Sequence, residues 1–282
     1  MTSDVEPDER AVGRMHPRVS LSAISTFSWD LDQDLAFYDA AGITAIGASL
    51  AKLEAAGLDE GARRLREAGL RVTNLIGIGP FVLADPTQWD RQRDRVRHAL
   101  DAAETVGAEC LIFTTGPAGS LSWEDAADAL ATAIGPVLDD ARARGIPFGL
   151  EHTNSLRVDV GFVHTLRDVV DLARRLDIGV CVELNACWAE RGLGETIRDG
   201  IDRFRVVQVS DFAVGTLSTP NRLVPGDGDI PLGRLVGQLL DAGYRGVFDL
   251  ELIGPRIDEE GYGPACTRAV ERLGALLDEA GA

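Results

Sequence analysis

From Arg18 onward, short apolar runs rich in Val, Ile and Leu alternate with longer segments in which apolar residues recur with helical spacing. Each short run has the length of a β-strand, and the alternation continues to the C-terminus. We predict strands within eight runs, at residues 18–27, 43–50, 71–79, 109–115, 146–153, 178–185, 205–211 and 246–253. The pattern therefore predicts a series of repeated strand–helix units.

The segments between the strands carry the start and stop signals of helices. Two clear examples lie at residues 88–106 and 123–144, and the second follows Ser122, a good N-cap that precedes acidic first-turn residues. Several segments end in a glycine directly before a strand, as expected where a left-handed residue stops a helix. These glycines are Gly42, Gly69, Gly145 and Gly243.

The number of units predicts the fold class. Eight units in about 265 residues match a single-domain (β/α)8 TIM barrel of the α/β class, whereas a doubly wound open sheet more often has roughly five to seven strands. We assign residues 18–282 to the barrel and the polar residues 1–17 to a flexible N-terminal arm. The first strand is not followed by GxGxxG and the sequence contains no GxxxxGK[ST], so nucleotide binding loses its main support.

The charge of the chain restricts its partners. The formal net charge is −17 and the pI is about 4.6, which disfavours nucleic acid and anionic membranes because both attract positive surfaces. No apolar run approaches the roughly 20 residues of a membrane span. Four cysteines without CxxC spacing indicate reduced thiols, most of them packing residues. We expect a soluble, cytoplasmic protein that binds a small molecule, with neither nucleic acid nor membrane as partner.

Four predicted strands end in a polar residue that follows an otherwise apolar run. These residues are Glu151, Glu183, Gln208 and Glu251. In a TIM barrel the C-terminal strand ends converge on one mouth. If the four side chains face inward, alternation sends their large apolar neighbours outward to the helices. Those neighbours are Phe148, Leu150, Val180, Val182, Val207, Val209, Phe248 and Leu250.

Three carboxylates and one amide at a single point would repel one another and resist burial unless a cation neutralised them. A divalent metal is the simplest such cation. Ligation by oxygen alone favours Mn2+, our first choice, with Mg2+ or Co2+ as alternatives, and disfavours a structural zinc site. The competing interpretation makes these acids ordinary salt-bridge partners at the barrel rim.

The same segments carry a family resemblance. They read LEHTN at 150–154, VCVELNACW at 180–188, VVQVSD at 206–211, NRLVPGDGDI at 221–230 and AGYRGVFDLEL at 242–252. They resemble the sugar phosphate isomerase/epimerase family, xylose isomerase-like TIM barrels that include ketose 3-epimerases, inosose dehydratases and 3-dehydroshikimate dehydratases. The resemblance covers nearly the whole barrel and implies metal ligands at the four positions already identified.

Two of these ligand positions depart from the family pattern of Glu, Asp, His and Glu. Glu183 stands where aspartate is commoner, and Gln208 stands where histidine is commoner in the family's HxKD segment. Ser210 occupies the lysine position of that segment, and Asp211 matches its aspartate. Glutamine in this place resembles some dehydratases of the family, which weakens an epimerase assignment more than it weakens metal binding.

Four further residues are candidates for substrate binding, Asp211 among them. Arg222 matches the arginine that precedes the PGxG turn of ketose epimerases, where the resemblance implies contact with substrate oxygens; the alternative is a solvated surface charge. His152, next to Glu151, either contacts substrate and moves protons or is hydrogen-bonded between strand and helix. Trp188 follows the sixth strand and either walls the pocket or packs against the barrel.

These features predict an enzyme that acts on a keto sugar or related polyol ketone. A carboxylate-bound metal can chelate a hydroxy-ketone and stabilise the enediolate formed on deprotonation. Glu151 and Glu251 would then remove and return the proton in an isomerisation or epimerisation. One alternative is a dehydratase or lyase that uses the same metal site, and a second is a non-catalytic binding or partner subunit. The family resemblance also implies a homo-oligomer.

Overall fold

The computed structural model describes residues 15–282, in which eight parallel strands form a closed barrel in chain order. Strand β1 pairs with both β2 and β8, and this pairing closes the sheet. The strands are β1 (Val19–Ser22), β2 (Ala45–Ser49), β3 (Arg71–Ile78), β4 (Leu111–Thr114), β5 (Phe148–Glu151), β6 (Gly179–Glu183), β7 (Phe204–Val209) and β8 (Val247–Leu250). All eight predicted strands and the single-domain TIM barrel are confirmed.

Helices surround the barrel and cover its loops. They are α1 (Leu31–Ala41), α2 (Leu50–Ala56), α3 (Leu58–Glu67), α4 (Trp89–Val106), α5 (Trp123–Arg144), α6 (Leu166–Leu176), α7 (Leu184–Cys187), α8 (Leu193–Gly200), α9 (Leu232–Asp241), α10 (Pro255–Glu260) and α11 (Tyr262–Glu279). The predicted helix 123–144 is α5, and the Ser122 side chain accepts a hydrogen bond from Asp125 N at 3.1 Å. The four predicted helix-ending glycines all have positive φ.

Strand residues alternate between two buried layers. All eight residues predicted to face outward belong to the large apolar cluster that joins the strands to the helices. A separate apolar cluster contains Cys110, Ile112, Cys181, Val206 and Val247. Glu183 and Gln208 each lie two positions after a member of this second cluster, so alternation directs them towards the barrel axis.

The chain also contacts the barrel before its first strand. Residues 1–14 of the predicted arm lie outside the described residues. Met15 is buried, and its Sδ accepts a hydrogen bond from Thr44 N at 3.4 Å. His16 Nε2 lies 3.8 Å from the Asp278 carboxylate near the end of α11. Within residues 15–282, no helix combines the length and apolarity needed to cross a membrane.

A buried ion pair joins Asp34 of helix α1 to Lys52 of helix α2. Lys52 Nζ lies 2.6 Å from Asp34 Oδ2 and donates a hydrogen bond to the carbonyl of Thr26 at 2.9 Å. The Asp34 side chain is 1% exposed and that of Lys52 is 11% exposed. We expect Asp34→Ala to lower the free energy of unfolding by about 3 kcal/mol, because it leaves a largely buried ammonium without its counter-ion. Urea denaturation measures the change.

A matched control is Asp32→Ala, which removes the ion pair between Asp32 and Arg64. Asp32 lies on α1, the helix that also carries Asp34. The Asp32 side chain is 69% exposed, and an exposed pair of this kind contributes about 1 kcal/mol or less. Equal destabilisation by the two substitutions would contradict a special role for the buried pair.

Candidate active site

A cavity of about 350 Å³ opens at the C-terminal ends of the strands. Glu151 at the end of β5, Glu183 at the end of β6 and Glu251 just after β8 contribute to its wall. Gln208 lies beside Glu183 in the neighbouring strand, and its Nε2 donates a hydrogen bond to Glu251 Oε2. All four residues are more than nine-tenths buried. The structure therefore brings three of the four predicted metal ligands to the cavity wall, and it places Gln208 behind the wall in contact with Glu251.

Arg222 reaches the same cavity from the loop after β7 and bridges two of the carboxylates. Its Nη1 lies 2.5 Å from Glu183 Oε2, and its Nη2 lies 3.2 Å from Glu251 Oε1. Burial opposes the charge of Arg222, but Glu183 and Glu251 raise its pKa above the ordinary value. The cluster thus contains a cation of its own, and Arg222 is not a solvated surface charge.

The three buried carboxylates carry more negative charge than the single guanidinium of Arg222 can neutralise. Burial raises the pKa of Glu151 well above its ordinary value, and repulsion from Glu251 and Glu183 raises it further. Arg222 lowers that pKa, but its ion pairs are with Glu183 and Glu251. Burial also raises the pKa of Glu183, and Arg222 opposes this shift. With all three glutamates ionised, the cluster carries a formal charge of −2.

Two oxygen atoms of the cluster lack partners. Glu151 Oε2 and Gln208 Oε1 are buried, and neither has a hydrogen-bond partner in the part of the chain that the structure describes. Buried polar atoms normally have a partner, and unpaired oxygen donors in a negatively charged site suit a hard divalent cation. The chemistry of these residues therefore fits the metal that the sequence predicts.

Arg222 sets the spacing of the carboxylates around the cavity. Within residues 15–282, the three glutamates are not a set whose ligand atoms all lie within 4.8 Å of one another. The guanidinium contacts Glu183 Oε2 and Glu251 Oε1. A cation bound through these two oxygen atoms would therefore compete with Arg222.

Asp249 is a buried acid of the barrel interior that the sequence analysis did not select. It lies two residues before Glu251, and its Oδ2 accepts a hydrogen bond from Asn74 Nδ2 at 3.2 Å. Burial raises the pKa of Asp249 to about 7, although hydrogen bonds from Ser20 and Asn74 oppose the shift. A Cβ atom at Gly47 would lie 2.9 Å from both Asn74 and Asp249, so glycine leaves room for this pair. The sequence feature that could have identified Asp249 is the alternation within VFDLE, which directs both Asp249 and Glu251 inward.

Asp211 holds the loop that carries Arg222. Its Oδ1 accepts hydrogen bonds from the main-chain N–H groups of Phe212 and Ile230, and its Oδ2 accepts one from Gly226 at 2.8 Å. A Cβ atom at Gly228 would overlap Asp211 Oδ1 and the Phe212 main chain. In the described structure Asp211 is not part of the cavity wall. Its carboxylate organises the PGDG turn, so its position indicates a positioning role.

His152 and Trp188 are not brought to the cavity. In the described chain neither residue belongs to the cavity wall. His152 is fully buried on the side of β5 opposite to Glu151, near Cys187 and Glu190, and burial lowers its pKa to about 4. Trp188 is half-buried and packs against the apolar core. Regular alternation therefore continues to the end of β5.

The rest of the cavity wall contains both polar and apolar residues. Polar residues that the sequence analysis did not select include Thr114, Thr153, Asn154, Arg157, Asn185 and Asn221. Apolar residues on the wall include Ile24, Ile76, Ile78, Phe113, Phe212 and Ile253. Such a mixed wall suits a small molecule with both polar and apolar groups. Most of the polar residues come from the loops after β5 and β7, where the strand pattern gives no signal.

Comparison with known proteins gives a family match over most of the chain. A family model described as a xylose isomerase-like TIM barrel matches residues 35–276. No curated protein matches the chain.

Solved structures share the fold at low sequence identity. Protein SMc04130 from Sinorhizobium meliloti is 24% identical, with a TM-score of 0.82 over 94% of this chain and 98% of that one. The IOLI protein, whose crystal structure has a zinc atom bound, is 15% identical, with a TM-score of 0.80 over 93% and 99%. The Escherichia coli 3-keto-D-glucoside 4-epimerase YcjR is 18% identical, with a TM-score of 0.68 over 89% and 98%. At these identities the likeness shows the fold.

Proposed function

We propose, from the premise that this chain belongs to the xylose isomerase-like TIM barrel family, that it is a divalent-metal-dependent isomerase or epimerase of a keto sugar or related polyol ketone. The observation that carries the proposal is the buried acidic cavity at the barrel mouth, with its unpaired Glu151 Oε2. A structural neighbour that is a 3-keto-glucoside epimerase supports the same substrate class.

The proposed metal ligands are Glu151, Glu183, Gln208 and Glu251. Their formal charge of −2 together with Arg222, and the unpaired oxygens of Glu151 and Gln208, support a divalent cation. Oxygen ligation favours Mn2+, Mg2+ or Co2+, and the zinc atom of the IOLI structure adds zinc to the metals worth testing. A bound cation supplies positive charge that acidifies the carbon beside a carbonyl and stabilises the enediolate.

Glu151 and Glu251 are the proposed proton carriers, and their surroundings differ. With Glu151 bound to the metal through Oε1, its Oε2, which accepts no hydrogen bond in the described chain, can accept a proton from the substrate carbon. The two oxygens of Glu251 are held by Arg222 Nη2 and Gln208 Nε2. We assign proton removal to Glu151 and proton return to Glu251, which starts this step in its protonated form; proton exchange with water then restores both groups. Arg222 donates hydrogen bonds to developing negative charge on the substrate oxygens, and the apolar residues of the wall limit the access of water.

Two observations favour the alternatives. Gln208 in place of histidine favours a dehydratase or lyase, in which the same enediolate expels a hydroxyl group as water. The bridge that Arg222 makes between Glu183 and Glu251 favours a non-catalytic binding barrel, because an internal counter-ion stabilises the cluster without a metal. The reaction products distinguish the first alternative, and the metal content distinguishes the second.

The test is metal content and solvent exchange on protein purified without a histidine tag. We expect the mouth to hold about one divalent ion per chain, so plasma mass spectrometry should find about one ion per chain fewer in a Glu151→Gln, Glu251→Gln double variant than in the wild type. With keto sugars or inososes in D2O, NMR should show deuterium next to the carbonyl for an epimerase, whereas an enone absorbance would identify a dehydratase. Equal metal content in the reloaded wild type and the reloaded double variant, together with absence of exchange, would overturn the proposal.

A further inference from the structure

A second group of metal-binding side chains lies outside the barrel mouth. His152 follows β5, Cys187 is the last residue of α7, and Glu190 lies in the segment before α8. One ligand atom from each residue lies within 4.8 Å of the other two. His152 and Cys187 are fully buried, and Glu190 is partly exposed. The group therefore has a buried end and an end that reaches solvent.

His152 is the unusual member of this group. Neither Nδ1 nor Nε2 makes a hydrogen bond of ordinary geometry in the described part of the chain, although the residue is 0% exposed. The main chain of Cys181 approaches the ring and raises the His152 pKa, against the larger opposing effect of burial, and this contact can satisfy one nitrogen at most. A buried polar group without a partner destabilises a protein, so an imidazole that only filled space between strand and helix would be unfavourable here. At least one ring nitrogen is therefore available to a ligand.

Glu190 provides the third donor and already has one structural contact. Its Oε1 accepts a hydrogen bond from Leu166 N, the first residue of α6, at 2.8 Å. One carboxylate oxygen thus fixes the side chain at the start of that helix. This contact leaves the second oxygen available, and one of the two Glu190 oxygens lies within 4.8 Å of the ligand atoms of Cys187 and His152.

We propose that His152, Cys187 and Glu190 bind a zinc ion, with water as the fourth ligand at the exposed end beside Glu190. A thiolate, an imidazole and a carboxylate form a donor set that zinc prefers over Mg2+ or Mn2+. One thiolate and one carboxylate balance the charge of Zn2+, and ligand atoms within 4.8 Å of one another leave room for a tetrahedral ion. This site is distinct from the all-oxygen site at the barrel mouth.

The zinc site would fix the chain around the proposed catalytic base. It joins the end of β5 to the last residue of α7 and to the segment that leads into α8. Glu151 and His152 are adjacent and face opposite sides of the same strand end, so zinc on one side restrains the carboxylate on the other. The three ligands are thus positioning residues, and the site does not depend on the reaction proposed for the mouth.

Cobalt is a suitable probe, because a thiolate bound to Co2+ gives a charge-transfer band in the near ultraviolet that oxygen ligands do not give. We expect this band when metal-free protein is titrated with Co2+, and we expect Zn2+ to abolish it. Cys187→Ser should remove the band and weaken zinc binding at least about tenfold. Cys266→Ser, a substitution of another buried cysteine, in α11, is the matched control and should retain both.

Two further variants keep the inference testable if Cys187→Ser does not fold. Glu190→Gln, at the partly exposed end, should fold and bind zinc about tenfold more weakly. The Glu151→Gln, Glu251→Gln double variant should keep the cobalt band, which separates this site from the mouth. Absence of the band in the wild type, its survival in Cys187→Ser, or unchanged zinc affinity in Glu190→Gln would each overturn the inference.

Discussion

Glu151→Gln should lower kcat for proton exchange at the substrate carbon by about a thousandfold, the size of effect seen when a positioned general base is removed. Glutamine has nearly the same shape as glutamate but cannot accept the proton that we assign to Glu151 Oε2. Because burial and two neighbouring carboxylates raise the pKa of Glu151, its ionised form is unfavourable in the folded protein at neutral pH. We therefore expect the metal-free variant to unfold at a higher temperature than the wild type.

The combination of lower activity and higher stability is the signature of a functional acid kept at some expense to the fold. Exchange is measured by NMR in D2O, and unfolding by calorimetry with a chelator present. Glu271→Gln, on the exposed side of α11, is the control and should change neither quantity. Wild-type exchange in Glu151→Gln would show that the base lies elsewhere, with Glu251 as the first residue to test.

The fold follows from the sequence because a closed barrel imposes a period of two on every strand. The apolar residues that flank Glu183 and Gln208 have to enter the outer layer, so both polar side chains must face the axis. The same rule places His152 opposite Glu151. Alternation thus places His152 on the side of β5 away from the cavity, whereas the partner of its imidazole does not follow from the strand pattern.

The sequence pattern does not predict the conformation of the loops or the counter-ion of the acidic cluster. The polar cluster predicts a cation, but a strand pattern does not show that Arg222, fourteen residues after Gln208, supplies one by bridging Glu183 and Glu251. That bridge depends on the loop that Asp211 holds through main-chain hydrogen bonds. The carboxylate oxygens that pair with Arg222 are therefore also candidates for metal binding, so the two interpretations of these acids concern the same atoms.

Arg222→Met should distinguish these two roles because it has opposite effects with and without metal. In metal-free protein it leaves Glu183 and Glu251 buried without a counter-ion, and we expect the free energy of unfolding to fall by about 3 kcal/mol. With the guanidinium gone, the same oxygens attract a divalent cation more strongly. Charges a few Å apart interact by several kcal/mol at an effective dielectric of about 20, so metal affinity should rise at least about tenfold.

Activity should nevertheless fall by about a hundredfold, because the variant lacks a hydrogen-bond donor for the charge that develops on the substrate. Titration calorimetry measures metal affinity, urea denaturation measures stability with and without metal, and deuterium exchange measures activity. Arg157→Met is the matched control, since Arg157 also lines the cavity but pairs with the exposed Asp159. Weaker metal binding by Arg222→Met would contradict competition and would mean that the guanidinium holds the carboxylates in the geometry that a metal requires.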